Sequence, residues 1–332
     1  MAVYTSLEKH EVENFIAQYN LGPLLSYKGI KDGIQNTNYF IETEKGRFVL
    51  TIFEASINRD DLPFFLDAIK HLHEKGIPCP IALETSKGQN LLYLKNKPSI
   101  LVPFLEGRHI EEITVEHCSE IGKHLAKLHV AGKDFTSTRK NSASLEKWDE
   151  LFLICKERAN EVSDGLSLLL EKEIHNLKEN WPENLPQGII HADLFPNNVF
   201  FEEQKLSGLI DFYFSCTDFT AYDLAICINA WCFDKNTTQK NGSDKYAHQF
   251  NIEKAASMLK SYQSINPLTQ QEINSLPIFL RGSALRFLLT RLHDFLFPKD
   301  GIVIETLDPK EYIEKLKFHQ NLSALEQYGL AA

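Results

Sequence analysis

The sequence predicts an α+β fold in two lobes, a small β-rich N-terminal lobe and a larger, mostly helical C-terminal lobe. Three observations predict it. Runs rich in aromatic and β-branched residues crowd the stretch before Leu105, around one amphipathic helix. From Thr114 onward the apolar spacing is mainly helical. Only two short apolar runs, GII and LSGLI, interrupt it, within GIIHADLFPNNVFFEEQKLSGLIDFYF (188–214). A boundary near 102–107 divides the chain into residues 1–104 and 105–332.

The elements follow in order. Thr5-Ser6-Leu7-Glu8 has the form of a capping box and predicts a helix to about Tyr19, stopped by Leu21-Gly22-Pro23. KGIKDGIQNTN (28–38) reads as a polar loop. Residues 38–42 and 47–53 read as a hairpin turning at Glu44-Lys45-Gly46. Asp61-Leu62-Pro63 opens a helix, because proline's missing N–H has no partner in a first turn anyway. Leu62, Phe65, Leu66, Ile69 and Leu72 share its apolar face, and Gly76 and Pro78 end it. Strands at 91–94 and 99–105 follow. Helices are then expected at about 115–130, 145–162, 166–180, 219–232, 252–264, 270–296 and 309–327, with a small hairpin inserted and a polar loop at 234–244.

Bulk properties exclude some functions. With 43% hydrophobic and 24% charged residues in 332, the composition is that of an ordinary soluble globular protein. A formal net charge of −10 argues against nucleic acid or an anionic membrane as the main partner, though a local basic pocket can still hold a small anion. The opening MAVYTSLEKHEVENF has no apolar signal region and is too acidic for a transit peptide. The longest apolar runs, such as LSLLL and SILVPFL, are far too short to span a bilayer. None of the six cysteines forms a C-x-x-C, so reduced thiols in a cytoplasmic protein are expected, without a zinc site. The sequence carries nothing that sets an oligomeric state.

The two apolar runs each end in polar residues. His191-Ala192-Asp193 and Asn198 follow the first in the spacing H-x-D-x-x-x-x-N; Asp211-Phe212 follows the second. Asp and Asn gather in turns in any protein, and an H-x-D alone would mean no more than that. The full spacing, two flanking strands and an Asp-aromatic pair together fit phosphoryl transfer. That chemistry needs a carboxylate to orient an attacking hydroxyl and take its proton, and oxygen ligands to hold Mg²⁺ on nucleotide phosphates. Asp193 suits the first role, Asn198 and Asp211 the second, and His191 would steady the loop. In the loop at 29–38, Gly33, Asn36 and Asn38 are candidates for cradling the phosphates. Taken alone, that loop is an unremarkable polar turn.

This order of glycine loop, hairpin, helix, hinge-like strand, H-x-D-x-x-x-x-N and D-F resembles the protein-kinase-like fold. It looks like the aminoglycoside and choline phosphotransferase branch. The strings IHADLFPNNVFF, LSGLIDFYFSCTDFTAYDLAICINAWCF, RGSALRFLLTRLHDF and DLPFFLDAIKHL resemble the homoserine kinases of that branch over nearly the whole chain. The resemblance implies a bilobal α+β kinase-like fold whose residues 1–104 bind nucleotide and whose residues 105–332 carry the catalytic loop and acceptor site. It implies ATP and Mg²⁺ as cofactors and L-homoserine as the small-molecule substrate, giving O-phospho-L-homoserine for threonine synthesis. Asp193 is then the catalytic base, Asn198 and Asp211 bind Mg²⁺, and backbone groups at Val102 and Phe104 receive the adenine. The family usually has a Lys or Arg on the strand after the glycine loop. Here that slot is Thr51, with Lys45 and Arg47 at the strand start. Two other readings stay open: a kinase for choline, ethanolamine, methylthioribose or an aminoglycoside, and a nucleotide-binding module without catalysis.

An acceptor bearing a carboxylate and an ammonium calls for a cation and an anion in its pocket. Arg281, Arg286 and Arg291 lie at intervals of five, each rotated by about 140° on a helix, so they cannot share one face. Arg281 and Arg286 are the candidates for the carboxylate; the alternative is that all three form solvated ion pairs. Asp223 would meet the ammonium, or else cap its helix or brace the catalytic loop. Tyr213 would line the acceptor cleft. Trp231 and Phe233 are expected in the core, and His124 and His129 as core or surface histidines.

Overall fold

Alternating burial along the N-terminal strands builds one antiparallel sheet. The computed structural model describes residues 4–30, 36–54, 57–235, 248–298, 307–322 and 328. They belong to two units, Met1–Gly107 with Ser207–Tyr213, and Arg108–Leu206 with Phe214–Ala332.

In the first unit, helix α1 (Lys9–Ile16) precedes strands β1 (Leu24–Gly29), β2 (Thr37–Thr43) and β3 (Gly46–Ile52). Helix α2 (Leu62–Glu74) and strands β4 (Leu92–Leu94) and β5 (Lys97–Pro103) follow. The sheet order is β1-β2-β3-β5-β4. Side chains alternate between the two faces of a strand, so a face can be read from register. Tyr39, Ile41, Leu50, Ile52 and Leu101 project from one face and pack with Val12, Phe15 and Ile16 of α1. On the other face Ile100 and Val102 pack with Leu62, Phe65 and Leu66 of α2. The expected cap of α1 shifts by three residues. Glu8 is the cap, its amide donating to Glu11 Oε2 at 2.8 Å, because Thr5 Oγ1 is taken by Glu54 Oε1 at 2.7 Å. Strand β1 lies largely within no predicted element. None of its residues is buried, as in an edge strand, so it carries little apolar alternation to read.

The second unit contains α3 (Val115–Ala131), α4 (Leu145–Cys155), α5 (Leu166–Asn180), β6 (Gln187–Ile190) and β7 (Val199–Glu202). The chain then runs through β8 (Lys205–Leu209), β9 (Cys216–Phe219), α6 (Thr220–Trp231), β10 (Phe233–Lys235) and β11 (His248–Phe250). Helices α7 (Ile252–Gln263), α8 (Gln270–Leu296) and α9 (Lys310–Gln320) complete it. The predicted helix at 145–162 ends early, at α4, and a 3-10 turn at Ala159–Glu161 follows. The two apolar runs are not partners of each other. β6 pairs antiparallel with β9, Ile190 opposite Cys216, and β7 and β8 form their own two-stranded sheet. Asp234 and Lys235, expected in a loop, belong to β10; the loop from 236 to 244 lies outside the described residues. All six cysteines are buried free thiols. Among the described residues no helix is long and apolar enough to cross a membrane.

Helices α3 and α7 approach closely at Gly122, where a Cβ would stand 2.1 Å from the Met258 carbonyl oxygen. Backbone cannot yield there as a flexible side chain can. Gly122→Ala is therefore expected to cost about 1–3 kcal/mol, read as a lower urea midpoint.

A buried charge cluster ties α9 to α8. Glu311 accepts from Arg291 at 2.7 Å and from Lys315 at 2.6 Å. Burial alone would raise the Glu311 carboxyl, but the charges of Lys315 and Arg291 outweigh it and bring it down to about 2. A carboxyl depressed in the folded state contributes stability above its unfolded pKa and loses it as pH falls. The stability gap between wild type and Glu311→Gln should therefore be full at pH 7 and shrink between about pH 4.5 and 2. Denaturant melts across that range would check it.

Candidate active site

The loop at 191–198 leaves β6 through an unusual turn. Ala192 has φ of 65°, a left-handed conformation that non-glycine residues rarely adopt. Three side chains hold it there. Asp223, in the first turn of α6, accepts the His191 amide on Oδ2 and the Ala192 amide on Oδ1, each at 2.8 Å. Arg286 Nη1, from α8, donates to the Ala192 carbonyl at 2.6 Å. Trp231 Nε1 donates to the Leu194 carbonyl at 2.7 Å.

A chain of hydrogen bonds stands behind Asp223. His129 Nε2, from α3, donates to Asp223 Oδ2 at 3.1 Å, and Tyr262 of α7 meets His129 Nδ1 at 2.8 Å. Because Asp223 accepts, the proton sits on His129 Nε2, and Nδ1 accepts from the tyrosine hydroxyl. Burial would raise the Asp223 carboxyl. The His129 hydrogen bond, the imidazoles of His129 and His191 beside it and the loop amide together hold it below the usual carboxylate range. Asp223 is thus an anion inside the unit, compensated by donors on both sides.

Asp193 lies at the centre of the loop and is half-buried. Burial raises its carboxyl, opposed by the charge of Arg286, by the nearby His191 imidazole and by a hydrogen bond from Asn198. His191 Nδ1 accepts the Asp193 amide at 3.2 Å, which leaves the ring proton on Nε2. Asn198 Nδ2 donates to the Asp193 carbonyl at 2.8 Å and to its carboxylate at 3.3 Å. With its nitrogen engaged, Asn198 has Oδ1 left for a cation, and no described residue donates to that oxygen. A hard oxygen donor is what Mg²⁺ requires, so this residue fits the ion.

The other candidates separate by their contacts. Arg281 forks onto Glu173, with both bonds 2.7 Å, and Arg291 pairs with Glu311. Arg286 is only 3% exposed, yet it forms no ion pair with a carboxylate among the described residues. Its guanidinium lies 4.6 Å over the Phe287 ring and 5.7 Å from that of Phe214. The second unit therefore gathers Asp193, Asn198, Asp223 and Arg286 around one loop and turns Arg281 elsewhere.

In the first unit, Thr51 Oγ1 donates to Asn38 Oδ1 at 2.8 Å, and the Glu54 amide donates to Asn36 Oδ1 at 3.4 Å. Gly33 lies outside the described residues. Val102 stands opposite Val49 in the sheet. The Phe104 amide donates to the Arg47 carbonyl at 3.0 Å, and its ring meets Phe40 edge-on at 5.5 Å. Asp211 has a left-handed φ of 64°. Tyr213 packs edge-on against Phe53 at 4.9 Å and Phe65 at 5.9 Å.

Sequence reading missed three residues that shape the loop. His129 and Trp231 are buried, as expected, but their ring nitrogens also serve Asp223 and Leu194. Tyr262 had no signal at all. Its link to His129 spans 133 positions, and no local pattern carries that. Trp231→Phe keeps the ring and removes one donor, leaving the Leu194 carbonyl unsatisfied. It should cost about 1–3 kcal/mol of stability, measured by chemical denaturation.

Residues 26–257 match the model of the phosphotransferase enzyme family. A homoserine kinase of Sinorhizobium fredii is 46% identical over 330 residues, 99% of this chain and 98% of the relative. One from Mesorhizobium japonicum is 44% identical over 331 residues, 100% of each chain. Among solved structures, an amicoumacin kinase in complex with AMP-PNP and Ca²⁺ superposes with a TM-score of 0.66 at 16% identity, covering 97% of this chain and 94% of that one. At that identity the likeness establishes the kinase-like α+β fold alone.

Proposed function

The chain belongs to the phosphotransferase enzyme family, among its homoserine kinases, and on that premise we propose that it transfers the γ-phosphoryl group of ATP to the side-chain hydroxyl of L-homoserine. The observation that carries this reading is 44–46% identity to homoserine kinases over essentially the full length of both chains. The product, O-phospho-L-homoserine, belongs to threonine synthesis, and a cytoplasmic location goes with that role.

In the transfer, the acceptor oxygen bonds to the γ-phosphorus as the bond from that phosphorus to the β–γ bridging oxygen breaks. ADP leaves, and the hydroxyl proton passes to Asp193. The protein's work is chiefly positioning and charge stabilisation. Asp193 is held for this by Asn198, and the loop beneath it by Asp223, Arg286 and Trp231. Asn198 Oδ1 and the Asp211 carboxylate are the oxygen donors that would hold Mg²⁺, which when bound neutralises charge on the phosphate oxygens. Asn36 and Asn38, with the undescribed Gly33, would serve the phosphates, and backbone at Val102 and Phe104 the adenine.

Of the acceptor-side candidates, Arg286 is best supported for the substrate carboxylate. It is a buried guanidinium with spare donors and no ion pair among the described residues, beside the loop at 191–198. Arg281 is already committed to Glu173. Asp223 is committed to the loop amides and His129, which supports bracing over ammonium binding. Tyr213 keeps a place in lining the acceptor side. A cation at Arg286 also supports homoserine over choline or an aminoglycoside, which would call for acidic and aromatic walls.

Coupled ADP release from Mg²⁺-ATP with L-homoserine, L-serine, choline and kanamycin tests the reading. Turnover is expected with homoserine, and turnover confined to another acceptor would discard it. Asp193→Asn should lose about 10²–10⁴-fold in kcat while still binding nucleotide; near-wild-type kcat would refute the assignment of the base.

A further inference from the structure

The β3 slot where kinase-like sheets place a basic residue holds Thr51, whose hydroxyl donates to Asn38 Oδ1. Asn36 Oδ1 likewise accepts the Glu54 amide. With both amide oxygens engaged, each Asn keeps its NH₂ as the group with hydrogens to give. No described residue accepts from either nitrogen. The slot therefore offers donors without charge.

The described cations of this sheet are mostly engaged elsewhere. Arg47 pairs with Glu106, and Lys97 with Glu54. Lys45 donates to the Asn20 carbonyl at 2.8 Å, and Lys95 pairs with Glu11 at 3.0 Å. Lys28 differs. It is exposed, in β1, and no described residue pairs with it.

Register places it. Lys28 stands opposite Phe40, Phe40 opposite Val49, and Val49 opposite Val102. Residues paired across a sheet project from the same face. The preceding residue, Tyr27, packs against Tyr39 on the α1 face, with ring centroids 6.1 Å apart, so Lys28 projects from the other. The Ile30 amide donates to the Asn38 carbonyl at 2.8 Å, so β1 and β2 stay paired as far as Asn38. Asn38 and Thr51 then lie one same-face step, about 6.8 Å along the strands, from Phe40 and Val49. The acid on this face, Glu42, stands opposite Arg47 and accepts from Ser26 Oγ at 2.8 Å.

We propose that Lys28 supplies the positive charge that meets the nucleotide's phosphates in place of a basic side chain at Thr51, with Asn36 and Asn38 adding neutral N–H donors. A lysine suits the task as a point charge on a flexible stem, needing no fixed fork geometry. This rests on the nucleotide reading of the sheet face given above.

The test is calorimetric binding of ATP, ADP, AMP and adenosine, each with Mg²⁺, to the full chain and to its Lys28→Ala and Lys28→Arg variants. Lys28→Ala should weaken ATP and ADP by about tenfold, leave adenosine within about twofold, and be largely restored by Lys28→Arg. Unchanged ATP and ADP binding in Lys28→Ala overturns the proposal. So does an equal loss for adenosine, which would mark Lys28 as packing against the base or ribose. If wild type binds none of the four, the nucleotide reading itself fails, and that failure shows before any variant is compared. An unchanged melting temperature for both variants confirms that the comparison is between folded proteins.

Discussion

A buried carboxylate organises the loop at 191–198. Asp223 is wholly enclosed and still ionised, which would be costly for a bare anion. It is not bare: two consecutive backbone amides and an imidazole N–H point at it. The same bonds that stabilise the anion also hold Ala192 in a left-handed turn that its side chain disfavours. Asp193, the next residue, takes its direction from that turn. The position of the carboxylate proposed as the base thus depends on a residue set behind it.

The arginines of α8 show how one helix can serve several purposes. Spaced five apart, they point in different directions. Arg281 and Arg291 join helices through Glu173 and Glu311, while Arg286 is left with one carbonyl partner and two aromatic neighbours. A buried guanidinium that forms no ion pair among the described residues is costly in an isolated protein and useful in one that binds a carboxylate. The sheet unit follows a similar economy of charge. Its cations are mostly neutralised by nearby acids or carbonyls, so a lysine unpaired among the described residues stands out against them.

Much of the fold was legible because its signals are local. Helix α2 was marked by proline in its first turn and apolar residues at helical spacing, and the β2–β3 hairpin by alternation across a short turn. Edge strand β1 was not legible, since an exposed edge lacks alternation. Nor was the cap of α1, because Thr5 had two chemically reasonable partners and the distant one, Glu54, prevailed.

By itself the sequence determined the order of elements, the H-x-D-x-x-x-x-N spacing and the residue types that phosphoryl transfer requires, because each is signalled by a short local pattern. Only the tertiary structure decided what those residues touch. It pairs β6 with β9 rather than with the other apolar run. It sends Arg281 to Glu173 and Arg286 to the loop, and brings His129, Tyr262 and Trp231 to a site far from them in sequence. The physical reason is range: helical and strand periodicity act over a few residues, whereas a buried charge finds its partners wherever packing has brought them.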